Sequence, residues 1–484
     1  MKTLLLLPNQ LFKKHDIDFN QIILYEHPKF FTEYNYHKSK LVFHRATMQK
    51  YYDFLNKKYK VKYVNYYDKL TLSGEIIIYN PTDYDILNQI KKICKNNKLN
   101  LTILDTKLFI LNEDEINEYI QSVNKPYFNA TFYKWIRLKK QILVINNKPI
   151  GGSWSFDTLN RKPFLDSYKE KDIKFISNDY IKEATNYCNK NFSDNIGEIN
   201  IFLPIDHTGA DKWFDNFLKE RLQNFGPYED AISSEIILGY HSGISALLNI
   251  GLLNPQDIIE ETLKLKNKIK IESLEAFIRQ VLSWREYTRM LYLKEHIKFN
   301  KMNFFNHTNK LKKSWYTGTT GIIPVDNVIK KTLQISYAHH IERLMIIGNF
   351  LFLLQIKPKD VYKWFIEMIS IDAYEWVMEP NVYGMSQHSV GQLMMNRPYF
   401  SSSNYIFKMS NYKKKSDNSN KIILNKKEYM WYEVWDALYY NFINTHKIYL
   451  KKNYSTANSV YILNKKSEKE KNILYSIAHL YMKY

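Results

Sequence analysis

The first 130 residues alternate short apolar runs with segments of helical spacing, and this alternation restricts the fold more than any other feature. Five runs, mostly rich in β-branched and aromatic residues, read TLLLL, QIILY, KYVNYY, EIIIYN and NLTILD. Helical spacing occupies 41–56 and 83–97 between them. Strands that alternate with helices indicate a parallel sheet with helical crossovers. We therefore predict an α/β domain with a doubly wound parallel sheet over residues 1–130.

A second pattern begins after Asp206, where helical spacing replaces the strand signals almost to the C-terminus. Ile271–Tyr292 and Asp326–Leu354 show this spacing most clearly. They predict an all-α domain over 206–484. Residues 131–205 contain a Gly-Gly pair, several prolines and no sustained period, so we predict that they form an irregular connector along the surface.

The charge of the chain indicates a polyanionic partner. Lys and Arg number 69 against 49 Asp and Glu, which gives a formal net charge of +20. Such a surplus is typical of proteins that bind nucleic acid or membrane surfaces. The chain is also rich in Asn, Ile and Tyr, which A/T-rich codons favour together with Lys, so part of the surplus could reflect genome composition alone.

No apolar run reaches the 18 residues that a membrane span needs, and Pro8 interrupts the apolar start before a signal-peptide core can form. The two cysteines, Cys94 and Cys188, are too few for a disulfide framework, a typical structural zinc site or a four-thiolate cluster. We therefore expect a soluble intracellular protein that does not enter a membrane.

Several segments in the second half combine residues that a plain helical bundle would not need. His241, Ser242 and Ser245 come just before an apolar helix, where hydroxyls and free backbone N–H groups can hold a phosphate. An ordinary serine cap would explain them equally well. Gln280 and Trp284 lie four residues apart on one helix face and could meet a flat ligand with polar edges. A charged surface with Trp in the core is the alternative.

Other candidate residues are ambiguous when taken singly. His339 and His340 are adjacent, and on a helix their side chains would point about 100° apart, so at most one faces a given pocket squarely. Asp372 and Asn381 flank a carboxylate-rich segment with a Trp, and Tyr399 lies in the loop RPYF. The chain has no HExxH, P-loop or GxSxG motif and no GxGxxG after a strand. This absence excludes the commonest zinc protease, NTPase, hydrolase and dehydrogenase classes.

Taken together, these segments resemble the photolyase/cryptochrome superfamily. The similarity is greatest to its iron-sulfur bacterial cryptochrome and photolyase branch, which includes the prokaryotic (6-4) photolyases and the deoxyribodipyrimidine photolyase-related proteins. Ten segments occur in the same order over nearly the whole chain: NQLF at 9–12, FHRATM at 43–48, GGSWSFDTLNRKP at 151–163, FGPYEDA at 225–231, HSGISALLNIGLL at 241–253, FIRQVLSWREY at 277–287, WYTGTTGIIPVD at 315–326, YAHHIERLMIIGNF at 337–350, DAYEWVMEPNVYGM at 372–385 and RPYF at 397–400.

The resemblance implies an N-terminal antenna domain and a C-terminal helical domain that binds FAD. It also implies blue-light-driven repair of ultraviolet lesions in DNA, carried out by a DNA photolyase. The residues that it places at FAD are His241, Ser242, Ile244, Ser245, Gln280, Trp284, Arg285, Glu286, Asp372 and Asn381. Within this set of segments, Gly243 and Ala246 stand where the family commonly has Arg and Pro.

The resemblance also implies the catalytic residues. It places His339, His340 and Tyr399 at the lesion, and (6-4) photoproducts are therefore the first choice of substrate. Repair of this lesion needs a proton to be given and taken back, and histidine has a suitable pKa. The electron comes from photoexcited reduced FAD. The alternatives are a cyclobutane-dimer photolyase, a signalling cryptochrome that repairs nothing, and a basic helical protein that binds nucleic acid without a cofactor.

Two further expectations concern light harvesting and electron transfer. Trp315, Trp364 and Trp376 are candidates for an electron relay, with ordinary core packing as the alternative. The resemblance allows a ribityl-lumazine antenna near Glu26, Phe31 and 43–48, with an empty pocket as the alternative.

The chain departs from the branch at the cluster ligands. Pro324 stands at the expected position of the first cysteine, and Lys413 and Ser416 replace a CxxC pair. We therefore predict no iron-sulfur cluster and no other metal. The lysine-rich stretch 411–428 predicts a solvated loop. We expect a monomer that acts on UV-damaged DNA.

Overall fold

The computed structural model describes residues 1–414 and 421–484. Five parallel strands form the N-terminal sheet, in the order β3-β2-β1-β4-β5. The strands are β1 Lys2–Leu6, β2 Gln21–Tyr25, β3 Val61–Val64, β4 Glu75–Tyr79 and β5 Leu101–Leu104. Each corresponds to one of the five predicted runs, so the α/β prediction is confirmed.

The helices of this part cover the sheet and lead away from it. They are α1 Lys29–Thr32, α2 Lys38–Asn56, α3 Tyr84–Asn96, α4 Glu113–Ser122, α5 Asn129–Lys140 and α6 Asp179–Asn191. The two helices predicted from spacing correspond to α2 and α3. Because crossovers are right-handed and the strand order reverses at β1, α2 and α3 lie on opposite faces of the sheet.

The central strands form because their side chains are apolar on both faces. Leu4 of β1 lies between Ile22 of β2 and Ile77 of β4. All three side chains are buried, as expected for strands covered by helices on both sides. Asp83 starts α3 by accepting a hydrogen bond from the backbone N–H of Ile86 at 3.0 Å.

The segment 131–205 is more ordered than the predicted irregular connector. It contains most of α5, a hairpin of β6 Val144–Ile145 with β7 Lys148–Pro149, and all of α6. Helix α6 packs against α2 through buried Ile181, Ala184 and Cys188. These three apolar residues of α6 are separated by polar ones and extend over only two turns. The apolar spacing is therefore too weak to predict a helix from the sequence. The domain boundaries themselves stay a prediction.

The second half is helical, as predicted. Its α-helices are α7 His207–Glu220, α8 Leu222–Tyr228, α9 Ser245–Asn249, α10 Pro255–Leu263, α11 Ile271–Ile278, α12 Arg285–Phe299, α13 Ile323–Ile335, α14 Asn349–Leu353, α15 Pro358–Met368, α16 Glu375–Glu379, α17 Ser403–Met409, α18 Trp431–Thr445, α19 Lys447–Lys452, α20 Tyr454–Asn464 and α21 Glu468–Lys483. Short 3₁₀ turns occupy Asp157–Leu159, Lys313–Tyr316 and Gly391–Leu393. None of the described helices is both long and apolar enough to cross a membrane.

One of the two clearest helix predictions is confirmed and the other is wrong in part. Helical structure runs without a break from Ile271 to Phe299. The predicted helix Asp326–Leu354 is broken, because Ser336 adopts a left-handed conformation with φ 56° and ends α13. A left-handed residue of this kind terminates a helix and cannot be read from apolar spacing.

The prediction of a solvated loop over 411–428 is wrong for its second part. Residues 421–424 (β8) and 427–430 (β9) form an antiparallel hairpin whose turn residues both have positive φ, as tight hairpins require. Ile422 of this hairpin packs on Gly321, next to Pro324. Residues 415–420, including the predicted cluster-replacing Ser416, lie outside the described part of the chain.

We expect the protein to lose stability in mild acid, because burial lowers the pKa of ten of its thirteen histidines below the ordinary 6.5. They are His15, His27, His37, His44, His207, His241, His307, His339, His388 and His446. The unfolded chain binds these protons near pH 6.5, whereas the folded chain binds them only at lower pH. The free energy of unfolding must therefore fall as the pH falls below about 6.5.

Urea unfolding between about pH 7.5 and pH 4.5 measures this effect, with a total loss on the order of several kcal/mol. A urea midpoint that is the same at both ends of this pH range would contradict the prediction.

Candidate functional site

Among the described residues of the helical half, three segments are π-helical, and they coincide with segments singled out in the sequence. They are Arg279–Trp284, Glu342–Gly348 and Pro380–Ser386. The last two touch closely, because a side chain on Gly348 would collide with Ser386. π-helical turns are rare and occur often at functional sites, where they displace a helix face from regular packing.

Polar side chains on these segments and at the start of α9 remain partly exposed although most of their neighbours are buried. Ser245, Gln280, Arg343 and Asn381 share this property, while Asp372 beside them is buried. Partial exposure in the middle of a helical domain shows that solvent reaches each of these four side chains. We call these five residues the central cleft. Four were predicted as cofactor-binding residues, and Arg343 was not.

An ion pair organises the central cleft. Both terminal nitrogens of Arg343 donate to the carboxylate of Asp372 at 3.0 Å, and the hydroxyl of Ser245 donates to it at 2.5 Å. The side chain of Asn249 donates to the Asp372 backbone carbonyl at 2.8 Å. Asp372 therefore joins the start of α9 to the second π-helical segment. Arg343 lies inside the quoted segment YAHHIERLM, but its spacing gave no sign of the partner.

A buried lysine from the N-terminal domain supports the same segment. Lys40 on α2 donates to the backbone carbonyl of Ala373 at 2.6 Å and lies over the rings of Tyr36 and Tyr374. Burial lowers the pKa of Lys40 to about 7, against the opposing charge of Asp372. Sequence reasoning missed this residue because nothing in a helical pattern indicates which lysine will be enclosed.

Arg285 is engaged by protein groups rather than directed into the central cleft. Its guanidinium donates to the backbone carbonyls of Leu108 and Leu248 and bonds to Asn249. It also packs 4.9 Å from the Phe109 ring and 4.7 Å from the Trp376 ring. Burial lowers its pKa to about 10.

Glu286 makes the same kind of contact. It accepts hydrogen bonds from the backbone N–H groups of Ile110 at 2.8 Å and Leu111 at 3.2 Å. Burial raises its pKa above the ordinary value, although Arg289 and these two bonds oppose the shift. In this structure Arg285 and Glu286 therefore connect the helical half to segment 108–111 of the N-terminal half.

The remaining predicted cofactor residues have mixed environments. Gln280 donates to Glu229, a fully buried carboxylate that also pairs with Arg279 at 3.3 Å. Asn381 donates to the carbonyl of Val377 one turn earlier, at 2.7 Å. Trp284 and Ser242 are partly exposed, and Ile244 is buried just before α9.

The predicted catalytic histidines form a cluster with His241. The rings of His241 and His339 stack at 4.6 Å, and the His340 ring lies 5.3 Å from His241. Both nitrogens of His241 contact backbone carbonyls, those of Leu238 at 2.9 Å and Glu229 at 3.0 Å. The three rings are close enough to hold a metal ion. Both ring nitrogens of His241 are already in contact with backbone carbonyls, however, so His241 has no nitrogen left to bind one.

The two adjacent histidines differ in exposure and in charge. They do not share a helix, because only His340 begins the helix that follows Ser336. The His339 side chain is buried, whereas that of His340 is 44% exposed and lies 3.4 Å from Asp230.

Burial holds the pKa of His339 well below its ordinary value and lowers that of His241 to about 3. Partial desolvation also lowers the pKa of His340, but the hydrogen bond to Asp230 and the charge of Glu229 raise it by more. The pKa of His340 is therefore raised.

Tyr399 is half-buried in the loop before α17. Burial raises its pKa, and the charges of Asp157, Arg161 and Asp230 act on it. The guanidinium of Arg397 lies 5.3 Å from the Tyr399 ring centroid. We call Asp157, Arg161, Asp230, His340 and Tyr399 the polar mouth.

The predicted electron-relay residues are only partly brought together. Trp315 and Trp364 meet edge to face at 6.2 Å, and the Trp364 indole N–H donates to the Trp315 carbonyl at 2.8 Å. Trp376 packs instead against Phe109, at 4.7 Å, beside Arg285.

The predicted antenna region is densely bonded. The Glu26 carboxylate accepts hydrogen bonds from Arg45 at 2.9 Å, Tyr63 at 2.6 Å, Tyr187 at 2.7 Å and the Tyr66 backbone at 3.2 Å. Phe31 is buried and stacks on Tyr66 at 5.8 Å. Residues 43–48 are buried in α2. A ligand there would have to displace some of these bonds.

Comparison with known proteins agrees with this architecture. A family model described as deoxyribodipyrimidine photo-lyase-related protein matches residues 4–203. A (6-4) photolyase from Agrobacterium fabrum is 31% identical over 396 residues, covering 81% of this chain and 76% of that protein.

Two solved structures share the fold. A bacterial class III photolyase from Agrobacterium tumefaciens aligns with a TM-score of 0.56 at 15% identity, over 84% of this chain and 83% of that one. An archaeal photolyase from Sulfolobus tokodaii, solved with two FAD molecules, aligns with a TM-score of 0.51 at 13% identity, over 82% and 85% of the two chains.

A parallel five-stranded sheet followed by a helical half is the architecture of the photolyase and cryptochrome fold. The chain belongs to this superfamily, in its photolyase-related branch.

We expect Glu286→Gln to lower the free energy of unfolding by about 1–3 kcal/mol, because the NH₂ group that replaces one carboxylate oxygen would face a backbone N–H donor. Urea unfolding measures the loss. Glu118→Gln, at an exposed glutamate on α4, is the matched control and should change stability by less than about 0.5 kcal/mol. Unchanged stability together with loss of flavin retention would instead indicate a cofactor contact.

Proposed function

We propose that this protein is a light-driven, FAD-dependent DNA photolyase with (6-4) photoproducts as its substrate. The observation that carries the proposal is the pair His339 and His340. One imidazole is buried and neutral, and its neighbour is exposed beside a carboxylate that favours its protonated form. Groups whose pKa values are pushed apart in this way are typical of acid–base sites.

The central cleft suits a dinucleotide such as FAD. Each terminal nitrogen of Arg343 keeps one N–H that can donate to a phosphate oxygen, and Ser245 could donate to a phosphate by giving up its bond to Asp372. The amides of Gln280 and Asn381 can meet the polar edge of a ring system. Ser242 is partly exposed near the start of α9 and would add a second hydroxyl. Bound FAD would supply the photoexcited electron for repair. His241, Trp284, Ile244, Arg285 and Glu286 would act as walls and supports for this site.

The polar mouth suits the proton transfers. His340 would donate a proton to the lesion and take it back, while Asp230 holds its imidazolium in place. His339, neutral and stacked on His241, would fix the position of the second ring. Tyr399 would contact the lesion through its ring or hydroxyl.

The polar mouth also suits an extruded base. A damaged pair is poorly stacked and costs less to flip out of the duplex than an intact one, which gives selectivity without sequence reading. The net charge of +20 would supply non-specific attraction to DNA phosphates. The DNA photolyase would act as a monomer, since one copy carries every residue of the proposed site.

Two cofactor proposals remain alongside FAD. We keep the prediction that no iron-sulfur cluster is present, because Pro324 and Lys413 cannot ligate one. Ile422 packs on Gly321, three residues before Pro324. A ribityl-lumazine antenna would have to share Glu26 with its four present donors. Trp315 and Trp364 form the part of the proposed electron relay that is in contact.

Replacing Arg343 by Leu should reduce FAD retention at least about tenfold, because one charge-assisted contact to a phosphate is lost and Asp372 is left unpaired in the cleft. The flavin-to-protein absorbance ratio after reconstitution and gel filtration measures this. Arg397→Leu, at an exposed arginine outside the central cleft, is the matched control and should retain FAD. Equal retention by both variants would contradict the proposed cofactor contact.

Illumination with oligonucleotides that carry a single defined lesion tests the reaction. We expect repair of the (6-4) photoproduct, and its loss in His340→Ala. Repair of cyclobutane dimers alone would favour the rival photolyase class. Photoreduction without repair would favour a signalling cryptochrome, and failure to bind flavin would favour the cofactor-free binding protein.

The same assay has a pH signature. Repair that needs protonated His340 should decline as the pH rises through the raised pKa of that residue. Asp230→Asn removes the stabilising carboxylate, so the decline should move to lower pH. A profile that is identical in both proteins would show that His340 is not the proton donor.

A further inference from the structure

Two short helices near the C-terminus expose an unusual combination of residues. Helices α19 and α20 meet at Asn453, and Tyr454 directly after it is 99% exposed. Tyr461, two turns later, is 58% exposed. Fully exposed aromatic rings are uncommon on a folded surface and often mark a contact with a partner.

These tyrosines share one face of α20. Tyr454, Asn458, Tyr461 and Lys465 follow one another at intervals of three or four residues, which places them along a single stripe. The Lys465 ammonium lies 4.4 Å from the Tyr461 ring centroid. From Tyr454 to Tyr461 the helix rises about 10 Å, roughly the length of three nucleotide steps.

Two stretches of chain at this junction carry only positive charge. Residues 437–467 contain no Asp or Glu and include the lysines 447, 451, 452, 465 and 466. Residues 380–414 likewise contain no Asp or Glu and include Arg397. Lys451 and Lys452 are exposed and form no ion pair within the described part of the chain. This composition complements a polyanion.

The exposed face is continuous with the polar mouth. The Asn453 side chain donates to the backbone carbonyl of Asn396 at 2.7 Å. Arg397 comes next in the chain and packs on Tyr399 of the polar mouth. A path of neighbouring residues therefore runs from Tyr399 through Arg397 to the junction of α19 and α20.

We infer that Arg397, Lys451, Lys452 and Tyr454, here called the C-terminal strip, bind the DNA strand that flanks the lesion. The two lysines and Arg397 neutralise phosphates, and Tyr454 stacks on a base or donates its hydroxyl to a phosphate. The inference rests on the proposed action on DNA, and it adds a second contact surface that lengthens the bound segment beyond the polar mouth.

The chain provides a matched control for this surface. The variant Lys451→Ala/Lys452→Ala/Tyr454→Ala alters the C-terminal strip. The control Lys57→Ala/Lys58→Ala/Tyr59→Ala alters two adjacent exposed lysines and an exposed tyrosine after α2. The two triple variants lose the same charge and one aromatic ring each. Thermal unfolding verifies that both are folded, and Lys451→Glu/Lys452→Glu serves if the first variant is not.

Fluorescence anisotropy with an undamaged duplex of about 20 base pairs, at several salt concentrations, measures binding. We expect the strip variant to bind at least about tenfold more weakly than wild type, with a log–log salt slope reduced by about two. The control should change binding by less than about twofold. Equal effects of both variants, or no effect of the strip variant, would overturn the inference.

A short substrate separates this inference from the proposed function. A lesion-bearing oligonucleotide of about six nucleotides occupies the polar mouth without reaching far along the strip, so the strip variant should repair it as wild type does. If the strip variant loses duplex affinity and the wild-type protein repairs no lesion, the repair proposal is refuted, but the inference that the C-terminal strip binds DNA still holds. Preferential binding of the strip to anionic lipid vesicles, with duplex binding unchanged, would overturn the DNA assignment.

Discussion

The structure depends on charged side chains that are buried where the N-terminal and helical halves meet. Arg285 and Glu286 bond to segment 108–111 from the helical side, and Lys40 reaches Ala373 from the N-terminal side. Removing charges from water is costly, and these groups are tolerated because backbone carbonyls and N–H groups satisfy them. The Lys40 contact holds the backbone next to Asp372, so the position of Asp372 depends on the contact between the two halves.

The electrostatics of the polar mouth follow from position rather than from residue type. His241, His339 and His340 are chemically identical, yet burial keeps two of them neutral and Asp230 favours the charged form of the third. A proton donor beside a neutral imidazole is the arrangement that the proposed acid–base repair would use. The C-terminal strip extends from this mouth and gives the positive charge of the chain a defined place, which composition alone does not.

Much of the fold could be predicted from the sequence. The five strands are short apolar runs, and α2, α3 and the continuous helix from Ile271 have helical spacing. The failures have local causes. Ser336 breaks a predicted helix through its backbone conformation, the turn after Leu424 makes a hairpin from a lysine-rich stretch, and α6 has too short an apolar face to stand out. The predicted site residues could be assigned only because they belong to the ten segments that resemble the family. Nothing in the sequence indicated that Arg343 would pair with Asp372 or that Lys40 would be buried.

The sequence by itself determined the order of strands and helices, the surplus of positive charge and the membership of the superfamily, because these depend on local periodicity and on segments that can be matched in order. Only the tertiary structure decided that Asp372 pairs with Arg343, that Arg285 and Glu286 hold segment 108–111, and that His339 is enclosed while His340 is not. These outcomes depend on which distant residues share a low-dielectric interior. Burial and partner distance, rather than residue type, set pKa values and hydrogen bonds there.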